Sequence, residues 1–438
     1  MLETLRNAFK VKEVRGKLLF TFFMLVVVRA GCQIPVPGVN NSVISDFLAS
    51  NSGDAFNFFN AMTGGSFMEM SIFALNITPY ITSSIIMQLL TIAIPKLEEL
   101  QKDGEDGRKV ILKITRYLTV APALIQSTAM AVGFGGRGLY DNYTWYAVVI
   151  TVVTMTAGSA ILMWIGEQIT QYGVGNGISI VLLINIVSSL PDDFMTLYER
   201  FVASQTVFMK VVAIAVIILL LLAMVTFTVL LQEAIRKIPV QYAKKMQGRK
   251  MVGGQSSNIP LRVNTAGVIP VIFASSLMTF PVVIATFFNV DYSTIGGKIL
   301  LCLSSSNWCK LEAPQYSIGY LVYALLIILF AYFYTSITFN PIEIANNMKK
   351  QGGFVTGIRP GKPTSDYLTR ILNYIVFIGA VGLLIVCTIP IVVSGVFNIA
   401  NLSFMGTSLI IIVGVVLETL KQIESQMVQR RYKGFLNS

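Results

Sequence analysis

The chain has 438 residues, of which 54% are hydrophobic and only 13% are charged, and its formal net charge is +11. Together with a mean hydropathy of +0.69, this composition excludes an ordinary soluble domain. The complete absence of histidine excludes a Ser-His-Asp triad and a zinc site of the H-E-x-x-H type.

Apolar runs recur along the chain, each near the length of about 20 residues that crosses a bilayer. In chain order, the ten runs occupy residues 18–34, 75–94, 114–134, 145–165, 176–190, 209–231, 265–288, 316–339, 371–392 and 404–420. The first run continues into Pro35 and Pro37 without a small-residue cleavage site, so we predict a retained helix and no removed signal peptide. The pattern predicts an all-α polytopic membrane protein with about ten transmembrane helices.

The stretch before the second run is apolar but poorly suited to a helix. Residues 59–81 read FNAMTGGSFMEMSIFALNITPYI. Gly64 and Gly65 each destabilise a helix by about 1 kcal/mol relative to alanine, and Glu69 adds a charge. We expect a second, regular helix to begin near Ser71 and to be bent at Pro79.

The basic residues predict the orientation. Most of the 33 Lys and Arg residues fall on one side if the N-terminus is cytoplasmic. The segments on that side are 1–17, 95–113, 166–177, 232–264, 340–370 and 421–438. Because cytoplasmic loops carry the excess of Lys and Arg, we expect both termini in the cytoplasm. On the opposite side, Cys302 and Cys309 share a loop in which a disulfide is permitted, and the sequence leaves their pairing open.

The centres of the predicted spans contain almost no charge. Arg29, Glu167, Glu233 and Glu418 fall towards span ends, where we expect their side chains to extend to the membrane surface. An ion-coupled solute or lipid transporter would need a deep charged pair, and an intramembrane enzyme would need a base or nucleophile. A conduit whose substrate is moved by another machine needs neither.

Two inner loops are long, basic and rich in turn residues. Loop 232–264 carries Arg249 and Lys250, and loop 340–370 has a Gly- and Pro-rich tip around Arg359. The charge has two interpretations: a topology signal on solvated loops, or a surface for phosphate-rich RNA or an acidic protein. The length and the turn residues favour a surface that binds a partner.

Four stretches of the chain are long and specific enough to compare with known families. They read SIFALNITPYITSSIIMQLLTIAIPKLEEL, LMWIGEQITQYGVGNGISI, VQYAKKMQGRK followed by SSNIPLRVNTAGVIPVIFASS, and FNPIEIANNMKKQGGFVTGIRPGKPTSDYL. In content and in order they resemble the SecY family, the central subunits of the Sec protein-conducting channels. The resemblance extends over essentially the whole chain.

The resemblance implies two five-helix halves, residues 1–200 and 201–438, arranged as a clamshell around an hourglass pore. It also implies an aliphatic ring that seals the pore. The ring residues by motif position are Ile77, Ile81, Leu182, Ile272 and Ile411. Ile77 and Ile81 are four residues apart, which places them on one helix face. Such a pair alone is typical of core packing, so the ring depends on the resemblance.

The resemblance further implies a plug and a lateral gate. The plug would be a re-entrant segment at about residues 55–71. Its residues would include Asn60, Ala61, Met62, Thr63, Gly64, Gly65, Ser66, Phe67 and Met68. The lateral gate would open the pore to lipid. Its polar residues would be Thr82, Gln88, Asn264 and Ser275, and we expect them to hydrogen-bond across the seam when it is shut.

The resemblance also implies partners and excludes catalysis. Arg359, in the intact GIRPG motif, would engage the SecA ATPase or the ribosome, and Arg249 and Lys250 would assist. SecE and SecG would be companion subunits, signal sequences and unfolded polypeptides the substrates, and membrane lipid the destination of inserted helices. Energy would come from SecA, from ribosomal elongation and from the proton-motive force. No cofactor or metal is expected.

Overall fold

A computed structural model describes residues 6, 9–40, 63–140, 142–203, 207–242, 245–247, 250–252, 256–287, 294–304, 307–309, 314–397 and 407–436. Long α-helices dominate this part of the chain. Helices α1 to α13 cover Lys12–Cys32, Thr78–Ala93, Pro95–Lys102, Glu105–Phe134, Trp145–Tyr172, Gly177–Tyr198, Val207–Glu233, Ile269–Phe287, Ile295–Leu303, Ile318–Thr338, Pro341–Lys350, Lys362–Phe397 and Thr407–Leu436. Short π-helical turns follow α4 at Gly135–Leu139 and α6 at Glu199–Ala203.

Each of the ten predicted runs overlaps one of the long helices. Among the described residues, six helices are long and apolar enough to cross a membrane. A seventh span results if α2 and α3, which are bent by 106° at their junction, count as one. The predicted all-α polytopic class is confirmed, and the count of ten spans stays a prediction.

Helix α2 begins later than expected, and this corrects the prediction for Pro79. The helix starts at Thr78 and not near Ser71, and Pro79 lies in its first turn. A proline in the first turn is tolerated because the helix needs no backbone N–H there. Pro79 therefore lies at the start of α2 and does not bend the helix. Pro95 ends it, since the preceding Ile94 is extended, as residues before proline prefer.

The helices pack in two groups that follow chain order. In the first group α2 contacts α4, α4 contacts α5, and α1 contacts α5 and α6. In the second group α8 contacts α10, and α12 contacts α7 and α10. The groups meet where α6 and α1 contact α13 and where α4 contacts α8. This packing agrees with the expected halves 1–200 and 201–438, which remain a prediction.

Three of the charged residues near span ends have partners inside the protein. Arg116 Nε lies 2.6 Å from Glu167 Oε1 and joins α4 to α5. Lys421 Nζ lies 3.3 Å from Glu233 Oε1 and joins α13 to α7. Arg29 donates a hydrogen bond to a backbone carbonyl, that of Gly64. The expectation that these side chains extend to the membrane surface stays a prediction, and each of them also has a partner in the protein.

The two long inner loops form one β-sheet, which the sequence did not predict. Strands β1 (Ile235–Tyr242) and β4 (Ser256–Arg262) pair antiparallel within the first loop. Strand β5 (Gly353–Val355) of the second loop pairs antiparallel with the other edge of β1, at Val240–Tyr242. The sheet order is β4-β1-β5, and a separate hairpin joins β2 (Lys245–Gln247) to β3 (Lys250–Val252).

The sheet has a small apolar core of its own. Ile238 and Val240 of β1 and Leu261 of β4 are buried against side chains from α11 and α12. This cluster fixes the sheet on the N-terminal part of α12, so the described strands of both loops are held at one place.

Cys302 and Cys309 both carry free thiols. Cys302 lies in α9, and its carbonyl accepts a hydrogen bond of 2.7 Å from Trp308 Nε1. Burial raises the pKa of the Cys309 thiol. The disulfide that the sequence left open is not formed in the structure.

Candidate pore, plug and docking surface

An apolar cluster joins the two groups of helices. It contains all five residues of the predicted ring, which we call the seal residues: Ile77, Ile81, Leu182, Ile272 and Ile411. Ile77, Leu182 and Ile411 are buried, whereas Ile81 and Ile272 are half-buried. Aliphatic side chains offer an ion no substitute for its hydration shell, so a cluster of this kind can close a narrow passage by excluding water.

Ile77 occupies the cap position of α2, and its place is set by the residue before it. Ile81 N donates to Ile77 O at 3.0 Å, so the two seal residues are one turn apart as expected. Asn76 has a left-handed φ of 52° and is buried. Its Oδ1 accepts a hydrogen bond of 3.0 Å from Asn185 Nδ2 on α6, and its carbonyl accepts one of 3.2 Å from Ser159 Oγ on α5.

These buried polar groups were missed in the sequence. Asn76 in LNITP and Asn185 in LINIV are uncharged, so a search for charged residues within spans passes over them. An amide inside an apolar run is itself a signal, because a buried polar group needs a hydrogen-bond partner. Their pairing fixes the backbone next to Ile77.

Residues 63–71, which we call the plug segment, form successive turns between α1 and α2. Val36 N donates to Met70 O and Ile72 N donates to Ile34 O, both at 2.9 Å, which ties the segment to the chain that leaves α1. Thr63, Ser66 and Phe67 are buried. The Phe67 ring meets the Phe134 ring edge to face at 6.4 Å. Residues 55–62 of the predicted plug lie outside the described residues.

Gly64 and Gly65 both have left-handed backbones, with φ of 64° and 85°. Their surroundings differ. A Cβ on Gly64 would lie 2.7 Å from Ser188 Oγ, 2.8 Å from Arg29 Nη1 and 3.0 Å from Asn185 Cα, whereas nothing lies within 4 Å of a Cβ on Gly65. Gly64 therefore presses its backbone directly against α6, close to the amide that holds Asn76.

The predicted gate residues do not hydrogen-bond across the seam in the part of the chain that is described. Thr82 Oγ1 donates to Thr78 O at 3.0 Å and Ser275 Oγ donates to Ile272 O at 3.0 Å, each within its own helix. Gln88 Oε1 and Asn264 Nδ2 are buried without a partner among the described residues. The expected bonds across the seam are absent there because the hydroxyls donate to their own helices.

Of the predicted docking residues, Arg359 follows strand β5 of the sheet and Lys250 lies in the separate β2–β3 hairpin. Arg359 is exposed, and its carbonyl accepts a hydrogen bond of 2.8 Å from the buried Thr364 Oγ1. Ile358 N donates to Val355 O at 3.0 Å, which turns the chain directly after β5. Lys250 begins β3, and Arg249 lies outside the described residues. Exposed basic residues also line the two ends of the sheet: Arg236, Lys237, Arg262, Lys349 and Lys350.

Comparison with known proteins decides the family. A family model described as SecY matches residues 71–420. The chain belongs to the SecY family. A protein translocase subunit SecY from Halalkalibacterium halodurans is 44% identical over 444 residues, and the alignment covers 100% of both chains.

Two solved structures share the fold of this SecY-family chain. One is a SecY channel whose plug domain is described as stabilising the closed state and maintaining a membrane seal. It has a TM-score of 0.62 at 19% identity and covers 94% of this chain and 92% of its own. The other is Sec61 in the canine ribosome–channel complex from the endoplasmic reticulum. Its TM-score is 0.58 at 18% identity, with 94% of this chain and 93% of its own covered.

Membership of the SecY family confirms the resemblance that the four stretches carried. The protein is a multi-pass membrane protein and a channel-forming translocase subunit, and it is not an enzyme. The roles of individual residues do not follow from membership alone.

Proposed function

We propose that this SecY-family protein is the pore subunit of the Sec translocase in the bacterial plasma membrane, with both termini in the cytoplasm. It conducts unfolded polypeptides through a passage between its two helix groups and releases transmembrane helices sideways into lipid. The observation that carries the proposal is the apolar cluster that takes seal residues from both groups.

The seal residues suit a passage for an unfolded chain. Their aliphatic side chains form no hydrogen bonds. A polypeptide of any sequence can therefore displace them without breaking specific interactions. A cluster assembled from two separately packed groups of helices widens when the groups part. The contacts of α4 with α8 and of α6 with α13 are the ones that such a movement changes.

The plug segment suits a removable stopper. Its backbone is held by turns and a few hydrogen bonds, not by a continuous helix, so its displacement leaves the long helices intact. It lies next to the seal in sequence and shares contacts with α6. Non-helical backbone of this kind is tolerated at membrane depth where it faces protein or a wet cavity.

The two glycines of the plug segment provide a matched test. A left-handed backbone costs a residue with a Cβ about 1–2 kcal/mol, so Gly64→Ala and Gly65→Ala share that strain. Only Gly64→Ala adds a collision, with α6 and with the Arg29 guanidinium of α1. We expect Gly64→Ala to raise the resting ion current of the reconstituted channel and Gly65→Ala to raise it far less. Equal currents from the two variants would argue against packing on α6 as the cause.

The lateral gate would lie where α2 and α4 face α8 and α10. The buried Gln88 Oε1 and Asn264 Nδ2 support a seam that opens readily, because polar groups without partners destabilise the shut state. Signal sequences and transmembrane segments would leave through this seam into membrane lipid.

The sheet of the inner loops would be the docking surface for the machine that supplies energy. The exposed Arg359 and the neighbouring basic side chains match an acidic protein face, such as that of SecA, or the phosphates of ribosomal RNA. The related Sec61 channel was solved on a ribosome. SecE and SecG would cover apolar helix surface on the outside of the two groups.

Reconstitution tests the proposal. The purified protein, assembled with SecE and SecG in vesicles, should take up a presecretory protein when SecA and ATP are added. The matched control omits SecA. Saturable uptake of a small solute without SecA, and no uptake of the presecretory protein, would identify a transporter instead.

A further inference from the structure

Arg29 is a charged residue in a part of α1 that is otherwise apolar. It lies in the last turn of the helix, and residues 18–28 before it are uncharged. A charge in such a position usually serves a purpose, because placing it away from water is costly. Its side chain is half-buried, and the guanidinium is turned towards the protein.

The acceptor of Arg29 is the backbone of the plug segment. Arg29 Nη1 donates to the Gly64 carbonyl at 3.0 Å, across 35 residues of sequence. Among the described residues, no carboxylate forms an ion pair with Arg29. A hydrogen bond from a charged donor is roughly twice as strong as one between neutral groups.

The hydrogen bond acts at the point where the plug segment meets α6. A Cβ on Gly64 would lie 2.7 Å from Ser188 Oγ, 2.8 Å from Arg29 Nη1 and 3.0 Å from Asn185 Cα, so the guanidinium and α6 meet the segment at the same residue. Asn185 follows the seal residue Leu182 by one turn and donates to Asn76, which precedes Ile77. The guanidinium thus holds the plug segment against the same stretch of α6 that positions the seal.

We propose that Arg29 is the positioning residue that fixes the resting place of the plug segment. The inference rests on the proposed role of that segment as a plug. A polypeptide that opens the channel must break this charge-assisted hydrogen bond, so Arg29 sets part of the threshold for opening. A precursor with a weakened signal sequence, which crosses this threshold poorly, then gains most from the loss of Arg29.

Thiol alkylation tests the position of the segment independently of its sealing role. Ser66 is buried, and Ser66→Cys replaces a hydroxyl by a thiol of similar shape. The four native cysteines are first replaced by alanine: Cys32, Cys302, Cys309 and Cys387. N-ethylmaleimide is then added to the assembled complex in detergent, and the rate at which it modifies the introduced thiol is measured.

We expect Arg29→Met to raise the alkylation rate about tenfold, since the segment loses its charge-assisted hydrogen bond to α1. Arg29→Lys retains a charged donor and should restore much of the protection. Lys17→Met, which removes a cation near the other end of α1, is the matched control and should leave the rate unchanged. An unchanged rate in Arg29→Met overturns the proposal, as does an equal rise in all three variants.

The ion current separates failure of this inference from failure of the plug. Arg29→Met should raise the resting current of the parent channel but add nothing once residues 60–68 are deleted. An equal increase in both backgrounds means that Arg29 acts elsewhere, which contradicts the inference. If deletion of 60–68 leaves the current unchanged, the plug assignment fails, and the alkylation rate still decides whether Arg29 positions the segment.

Discussion

Deletion of residues 60–68 should leave a channel that passes ions at rest and still exports protein. The deletion removes the buried Phe67 and Ser66 and the Gly64 backbone between α1 and α6. The seal residues then close the passage alone, so we expect a larger resting current than that of the parent channel. Planar-bilayer recordings of the reconstituted complex measure the current, and uptake of a presecretory protein measures transport.

The control for this deletion keeps the length of the chain. Replacement of residues 60–68 by a Gly/Ser stretch of equal length separates the loss of packing from the shortening of the connection between α1 and α2. Both variants should leak. A resting current that stays at the parent level in both would remove the plug segment from the sealing mechanism.

Charge reversal at Arg359 should abolish export while the protein remains inserted and stable. The side chain is exposed, so the fold loses little, and the backbone is held through Thr364 whatever the side chain. Like charges across an interface cost several kcal/mol, which lowers the affinity for an acidic partner or RNA by about 100-fold or more. Binding of SecA to vesicles and export with Arg359→Glu as the sole copy are the measurements.

Arg370→Glu is the matched control, since it reverses an exposed arginine on α12 at the far end of the same loop. It alters the loop charge equally, so any effect on membrane topology is shared. We expect it to reduce export much less than Arg359→Glu. Normal export with Arg359→Glu would refute a docking role for this residue.

The transmembrane helices were largely predictable because a helix that crosses a membrane is apolar along most of its length, and this is visible in the sequence. The run at 209–231 lies inside α7, and the run at 145–165 begins at the first residue of α5. Helix starts were less predictable. Helix α2 begins only at Thr78 because the backbone of Asn76 is left-handed. Hydrogen bonds from Ser159 and Asn185, on helices far along the chain, fix that conformation.

The sheet of the inner loops could not be predicted from local pattern. Pro239 lies in β1 and Pro260 in β4, and proline argues against a strand that is paired on both sides. Pro239 is tolerated because β5 pairs only with Val240–Tyr242 and leaves that part of β1 with one neighbour. The third strand comes from more than a hundred residues away, which no local signal reveals.

The candidate site was predictable in its members but not in its contacts. The seal residues were predicted from their motif positions in the family. Their spacing alone could not identify them, because an aliphatic pair four residues apart is common in any helical core. Arg29 was interpreted as a residue that reaches the membrane surface, because its acceptor is a backbone carbonyl without a sequence signature. The acceptor became visible only when the turns of the plug segment were placed beside α1.

The pairing of β5 with β1 limits how the inner loops can be exchanged between relatives. The register aligns Val240 with Val355 and Tyr242 with Gly353, and the Tyr242 ring leaves no room for a side chain on Gly353. A chimaera that receives only the second loop of another species combines a foreign strand with the native neighbour. Exchange of both loops as one unit should therefore yield functional hybrids more often than exchange of either loop alone. For the same reason, substitutions in the two loops should arise together during divergence.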